Sequence, residues 1–436
     1  MEAVATPAEE RFLQWLTEHG AQFPKIQWPR VTPNGLRGAT AREAIATNEV
    51  MVSIPQTLMI SEVTCWEDAT LRRVYEENRD LFARDDPVLA LFLVRELAKG
   101  EASFYFPYLS ILPEVETVQD WTPTEQHELR DPSLVDAAAR RKAEMTAVFS
   151  KIMRRLEEKY PERSNRDTLV AGQGEFPTDT YTFARFRFAW KNIQARTFGR
   201  RLPWTALVPF ADCLNHANVS TKYDFDVDAS GTFRLFPSAT TSFAEGAEVF
   251  NSYGRRPNFS LLLDYGFALE DNEWDFVDME LPRDTAQILG RRFPFRKRLR
   301  LEKETTVDTL FPLATFPHDP VNSPQEGDRQ EAISPALFGE ATSRREALLW
   351  FRRLVVDSLD RFESTLAEDE VRLVDDRLPD RLRMAIVYRV SRMRILARFV
   401  RELDIALDSD NYETSGDGER GLTAVVANLH DVRIEV

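Results

Sequence analysis

The chain has 436 residues, of which 43% are hydrophobic and 11% aromatic. That apolar content supports buried cores and excludes a disordered tail, and the length exceeds what one core usually serves, so two or three domains are expected. A net charge of −15, from 56 basic and 71 acidic residues, runs against generic binding to a nucleic-acid backbone or an anionic membrane.

The first residues, Met1 to Thr6, lack a basic segment followed by an apolar one, so no signal or transit peptide is expected. No apolar run is long enough to span a bilayer. A cytoplasmic location is expected, with nucleus and plastid left open. Residues 8–19 read as a short amphipathic helix carrying Phe12, Trp15 and Leu16 at helical spacing. Segment 34–61 reads as strands, with Glu49 to Pro55 β-like and closing at the proline. Residues 62–195 are mostly helical. Asp86-Pro87 predicts a capping side chain before a proline in the first helical position, with Gly100 after the helix end. Thr122 and Glu125 have capping-box spacing. Leu134, Ala138, Arg141, Met145, Val148, Ile152 and Leu156 form a helical stripe that only Arg141 blunts.

Strands resume at 205–281, including Tyr223–Val227, Thr232–Phe236 and Phe276–Leu281, with hairpin chemistry at Asp228 to Gly231. Residues 317–335 read as a linker. Helix returns beyond it: Leu348, Phe351, Val355, Leu359 and Phe362 share one face, and Leu382, Ile386, Met393, Ala397 and Val400 another. The polar stretch Asp408–Arg420 is predicted to be mobile. Strands in two blocks, without βαβα alternation, argue against a doubly wound sheet. The predicted class is α+β, divided at 1–61, 62–195, 196–281 and 282–436.

Two cysteines, Cys65 and Cys213, exclude a disulfide framework and suit a reducing compartment. Cys213-x-x-His216 is half of a metal site, but His19, His127, His318 and His430 are scattered singly, so no metal is expected.

Several residues carry candidate chemistry. Asn34-Gly35-Leu36-Arg37-Gly38 reads as a β-turn, or as a turn whose glycines let the backbone approach a ligand; no Lys-Ser/Thr follows to make it a phosphate loop. Arg196 reads as a surface charge or as a fork for a carboxylate. Val208 to His216 reads as an apolar strand ending in Asn215-His216. On a regular strand Asp212 and His216 would stand roughly 13 Å apart, too far for a hydrogen-bonded dyad. A Gly-x-Ser-x-Gly elbow is absent, so a Ser-His-Asp hydrolase is unsupported. Glu245 to Gly254 reads as a turn, a strand and a Tyr-Gly pair.

The blocks 208–216 and 245–254 together resemble the paired signature of SET-domain protein methyltransferases, in the branch typified by the Rubisco large-subunit lysine methyltransferase. The resemblance covers most of 8–405 and is strongest at 196–267. It implies a SET domain of small, pseudoknot-type sheets split by a helical insertion, then an all-α substrate-binding domain. S-adenosylmethionine is the implied cofactor, contacted by the turn Asn34, Gly35 and Leu36 and by Arg196, Asn215 and His216. Tyr253 is the implied catalytic residue. Phe198, Asp212, Tyr223 and Tyr265 are implied at the substrate, with Phe225 an alternative to Tyr223.

A protein substrate, docked through the helical C-terminal domain of a monomer, and no nucleic-acid or membrane partner complete the expectation. The missing cysteine-rich zinc cluster points to a non-histone substrate. Related actin-histidine methyltransferases carry Asn and Trp where this chain has Phe198 and Ala211, so lysine is the expected target. The alternatives are a histidine methyltransferase of the same fold and a catalytically silent scaffold that binds a partner protein. Arg196, Asn215, His216 and Tyr253, all present together, weigh against the scaffold.

Overall fold

The computed structural model describes residues 5–31, 35, 37–160, 180–199, 201–226, 231–280, 298–307 and 344–414. Asn34, Leu36, residues 228–230 of the expected hairpin turn and the expected linker 317–335 lie outside them. The chain divides into two compact units: Met1–Asp120, Ser133–Arg255 and Ser260–Gly266 form the first, and the remainder forms the second.

Unit 1 opens with a helix at Pro7–Glu18, closed by a capping box between Thr6 and Glu9, with Phe12, Trp15 and Leu16 on its buried face. Its sheets are small. Strands β1 (Ile26–Val31) and β2 (Arg37–Ala41) form an antiparallel pair. Strands β3 (Val52–Pro55) and β4 (Ile60–Ser61) belong to different sheets. The later strands are β5 (Thr197–Phe198), β6 (Ala206–Leu207), β7 (Thr221–Asp226) and β8 (Thr232–Pro237). They complete two three-stranded sheets, ordered β3-β8-β7 and β4-β6-β5. Strand β8 alternates strictly, with Phe233, Leu235 and Pro237 buried, as one packed face requires.

Between the strand blocks lie helices at Asp85–Lys99, Pro132–Lys159 and Phe183–Arg196. In the second of these, Leu134, Ala138, Met145, Ile152 and Leu156 are buried, while Arg141 reaches Asp264 at 3.4 Å. The helix at Asp85–Lys99 corrects one expectation. It begins before Asp86, its N-cap Arg84 makes no side-chain cap, and Asp85 and Asp86 lie inside the first turn, where carboxylates favour the helix dipole. Gly100 does cap the C-terminus, at φ 53°.

The expected strand over 208–216 is a second correction. Only Ala206–Leu207 pairs as a strand. The chain then turns at Pro209-Phe210, where Phe210 takes φ 74° and ψ −45°, and forms a 3-10 turn at Ala211–Cys213. A non-glycine residue there is strained, and Phe210 is held by complete burial and by stacking on Phe23 at 3.8 Å. Residues 245–254 likewise form no ladder strand. Single bridges join Thr40 to Glu248 and His216 to Asn251, so this segment meets β2 first and then Asn215-His216.

Unit 2 contains an antiparallel pair, β9 (Phe276–Glu280) and β10 (Arg298–Glu302), and helices at Arg344–Leu359, Leu366–Leu373 and Asp380–Thr414. Strand β10 departs from the helical reading of 282–436. The two expected helical faces pack in one core, through Leu348, Phe351 and Val355 on one side and Ile386 and Met393 on the other, with Leu382 and Val400 half-buried against it. The last helix runs to Thr414, so 408–414, expected to be mobile, is helical. Glu125 and Thr122 make the expected capping box at Pro123–His127. Among the described residues, no helix is long and apolar enough to cross a membrane.

Candidate active site

The helix Phe183–Arg196 ends at β5, which places Arg196 and Phe198 side by side in sequence with their side chains in different surroundings. Arg196 turns toward the 3-10 turn. Its Nη1 donates to the Asp212 carbonyl at 2.9 Å and to Asp212 Oδ2 at 3.3 Å, and its Nε donates to Asn192 Oδ1 at 3.2 Å. Asp212 Oδ2 also accepts from the Tyr108 hydroxyl at 2.8 Å. Burial works against the charge of Arg196, but Asp212, Tyr108, Cys213 and Tyr253 together outweigh it and raise the guanidinium further above its ordinary range. For Asp212 burial pushes the carboxyl up, while Arg196, Tyr108 and Cys213 pull it down. Among the described residues, Arg196 Nη2 has no acceptor, so two of the five guanidinium donors are left for a ligand.

Asp212 was expected at the substrate. Its side chain is 1% exposed and already accepts from Tyr108 and Arg196. The carboxylate serves as the counter-charge of Arg196, and the regular-strand spacing to His216 does not apply on a 3-10 turn.

Asn215 and His216 follow directly. The Asn215 amide donates to the Arg37 carbonyl at 3.2 Å and to Glu248 Oε1 at 2.8 Å. Both partners are acceptors, which fixes the amide orientation and engages both of its N–H groups. Asn215 Oδ1 remains, among the described residues, without a donor. The Asn215 carbonyl accepts from Asn251 N at 2.8 Å. His216 is buried, and its Nδ1 lies 3.1 Å from Tyr253 N. The same Nδ1 lies 3.3 Å from the Asn251 carbonyl, so this nitrogen stands between a backbone donor and a backbone acceptor and the tautomer sets which of the two it engages. His216 thus links the backbone of Tyr253 to that of Asn251.

Tyr253 stacks on the His216 ring, with centroids 4.9 Å apart, and on Tyr265 at 5.0 Å. Its hydroxyl donates to the Leu214 carbonyl at 2.9 Å. Burial raises its pKa above the ordinary phenol value, and Tyr265 adds to the rise while Arg196 opposes it. Thr221 ties β7 to this point: its hydroxyl donates to Asn251 Oδ1 at 2.9 Å and accepts from Ser252 N at 2.8 Å. Tyr265 is set by Gly266, which has φ 85° and lies so close to the Glu116 carbonyl that a Cβ would sit 1.8 Å from it.

Phe198 joins a second ring cluster, edge-on to Tyr223 at 5.3 Å and to Phe233 at 5.1 Å. Phe225, the alternative to Tyr223, packs on Trp204 at 5.1 Å. Of the turn expected at the cofactor, Gly35 is described. It has φ 75°, is exposed, and an added Cβ would meet nothing within 4 Å. The structure therefore brings Arg196, Asp212, Asn215, His216, Tyr253 and Tyr265 into one connected set, and Phe198 with Tyr223 into another.

Sequence reasoning missed Tyr108, Asn192, Glu248, Thr221 and Asn251. Asn192 lies one helical turn before Arg196, a spacing that could have identified it. Tyr108 stands 104 residues from Asp212 and left no local signal. Among the described residues, no group of three or more His, Cys, Asp or Glu is placed to hold a metal.

No family model matches the chain. By sequence it is 25% identical over 413 residues to the chloroplastic fructose-bisphosphate aldolase-lysine N-methyltransferase of Arabidopsis thaliana, covering 88% of this chain and 80% of the relative. It is 26% identical over 281 residues to the actin-histidine N-methyltransferase of Gallus gallus, covering 62% of this chain but only 44% of that protein's length. The human actin-histidine N-methyltransferase is 23% identical over 426 residues, covering 89% of this chain and 67% of the relative. Among solved structures, the SET domain of LSMT bound to methyl-lysine and AdoHcy matches with a TM-score of 0.62 and 20% identity, over 98% of this chain and all of that one. Rubisco LSMT bound to AdoMet matches with a TM-score of 0.61 and 19% identity, over the same shares. The chain thus has the mixed helix-and-sheet SET-domain fold of LSMT, and by sequence it is similar to protein methyltransferases that act on lysine and on histidine.

Proposed function

We propose that this chain is an S-adenosylmethionine-dependent protein-lysine N-methyltransferase acting on a non-histone protein. The observation that carries the reading is Tyr253, stacked between His216 and Tyr265 with its hydroxyl anchored on the Leu214 carbonyl. The residues present fit the cofactor. Arg196 keeps two N–H groups for a carboxylate, Asn215 keeps an acceptor oxygen, and the exposed turn at Gly35 admits close approach of a ligand to backbone. S-adenosylmethionine would supply a methyl group made electrophilic by sulfonium.

The chain's own task is alignment and desolvation. Methyl transfer to an amine is an in-line displacement, so nucleophile, carbon and sulfur must be collinear. Because the phenol gives its hydrogen to Leu214, it meets a C–H group as an acceptor, the role a weak C–H···O contact requires. A target lysine must be neutral, which costs roughly 4 kcal/mol at about pH 7.4 from a pKa of about 10.4. Aromatic walls of Tyr253 and Tyr265 disfavour the ammonium and recover part of that cost.

Phe198 supports lysine over histidine. It offers an apolar wall, whereas an imidazole needs a hydrogen bond to orient its second nitrogen. A histidine target is the second reading. It is favoured by the similarity to actin-histidine methyltransferases and by the phenol Tyr223, which packs against Phe198 and could supply such a bond. Docking of the substrate protein on the helices of unit 2, action as a monomer and a cytoplasmic location belong to the same proposal. Incubation with labelled S-adenosylmethionine and an unmethylated lysate, followed by mass spectrometry of the labelled protein, tests it. Methyl-lysine is the expected product. Methyl-histidine as the main product establishes the second reading, and cofactor binding without transfer to any protein establishes the silent scaffold.

A further inference from the structure

We infer that Tyr108 and Asn192 are positioning residues that aim the Arg196 guanidinium at the amino-acid end of the cofactor, an inference that rests on the reading of Arg196 given above. Arginine has five N–H donors in a rigid plane, and three contacts within the protein define that plane completely. Asn192 holds Nε at 3.2 Å, while the carbonyl and carboxylate of Asp212 hold Nη1. Neither holder is loose. Asn192 is fully buried, and its amide donates to the Pro113 and Phe188 carbonyls at 3.2 and 3.0 Å. Asp212 is oriented in turn by Tyr108, whose ring is fully buried and whose hydroxyl reaches Oδ2 at 2.8 Å.

The chain of contacts Tyr108, Asp212, Arg196, Asn192 leaves only Nη2 pointing away from it, on a side chain that is 20% exposed. A charge-assisted N–H···O contact needs its donor aimed at the oxygen, so an error in the guanidinium plane weakens the contact that Nη2 makes with a carboxylate and no other. A purely structural network would instead affect all ligands of the site alike.

The test measures dissociation constants of Tyr108→Phe for S-adenosylmethionine and for 5′-methylthioadenosine, which shares the nucleoside and sulfur but lacks the amino-acid end. Loss of one hydrogen bond to a charged group predicts about tenfold weaker binding of S-adenosylmethionine and unchanged binding of 5′-methylthioadenosine. Equal weakening of both, or no change in either, overturns the inference. A wild-type protein that binds neither ligand overturns the reading of the site itself. Should Tyr108→Phe not fold, Asn192→Ser removes the partner of Nε and carries the same comparison. Absence of a selective loss in both variants, beside a wild type that binds both ligands, assigns the network to folding alone and overturns the inference.

Discussion

A phenol has one hydrogen and two lone pairs, and in Tyr253 the hydrogen is committed to Leu214. Replacement by Phe removes the acceptors and leaves the ring stacked, so stability falls by only about 1 kcal/mol. Turnover should fall at least about tenfold, the equivalent of ~1.4 kcal/mol at the transition state. Single-turnover kinetics beside a thermal melt separate these effects, and near wild-type turnover would remove Tyr253 from the chemistry. Burial raises the phenol above its ordinary value of about 10, so the group stays neutral throughout the working range. The folded form then binds more protons than the unfolded one only above about pH 10, and this residue lowers stability only beyond that point. A rate profile that declines between pH 8 and 9 in wild type but not in Tyr253→Phe would contradict this. Asn215 differs, because its amide hydrogens are engaged by Arg37 and Glu248. Asn215→Ala therefore loosens β2 and Glu248 as well as removing Oδ1, and calorimetry should show cofactor binding weaker by about 1–3 kcal/mol.

At the scale of elements, what could be read from sequence was whatever has a period or a cap. The helix at Pro7–Glu18, the stripe from Leu134 to Leu156 and the alternation of β8 all extend over enough residues to repeat. Elements that build the site do not repeat. Strands β5 and β6 have two residues each, and the links of Glu248 and Asn251 are single bridges, too short to show a pattern. The apolar run at 208–216 read as a strand because nothing in its composition announces the strained Phe210 that breaks it. Asn215, His216 and Tyr253 were legible only as motifs, and their partners, up to 178 residues distant, were not. Gly266 shows how such an element is fixed by close contact. An added methyl would strike the Glu116 carbonyl while holding a positive φ. Gly266→Ala should cost about 2–4 kcal/mol in urea denaturation and displace Tyr265. A variant with wild-type stability and activity would mean that the segment carrying Glu116 does not buttress this site.

Across the whole molecule, an acidic chain still buries basic side chains, and it does so where carboxylates already wait. In unit 2 Arg389 is 1% exposed, pairs through Nε and Nη2 with Asp369, and donates through Nη1 to Glu128 Oε2 at 3.0 Å. Sequence gave the apolar faces of this unit but not the ion pair, since Asp369 looks like one acid among several in Glu368-Asp369-Glu370. Burial pushes the Asp369 carboxyl up, but Arg389 and Ser364 more than reverse that and hold it below its ordinary range. The folded value is thus below the unfolded value of about 3.9, so the stabilisation is complete above that pH and is lost as pH falls through the folded value. Removal of one member leaves a buried charge short of its partner, which costs about 3–5 kcal/mol. Because Glu128 still faces Arg389, Asp369→Ala should lie at the lower end, about 3 kcal/mol. Hydrogen exchange in the helix Asp380–Thr414 should register that loss at pH 7. Wild type and variant should begin to converge as the pH drops below about 4 and meet only below the lower folded value, where the carboxylate is protonated in both folded and unfolded chains. Replacing both partners, as Asp369→Leu with Arg389→Met, should recover most of the stability, because a well-packed apolar pair no longer requires desolvated charge. Persistent protection in Asp369→Ala at pH 7 would show instead that Glu128 alone satisfies the guanidinium.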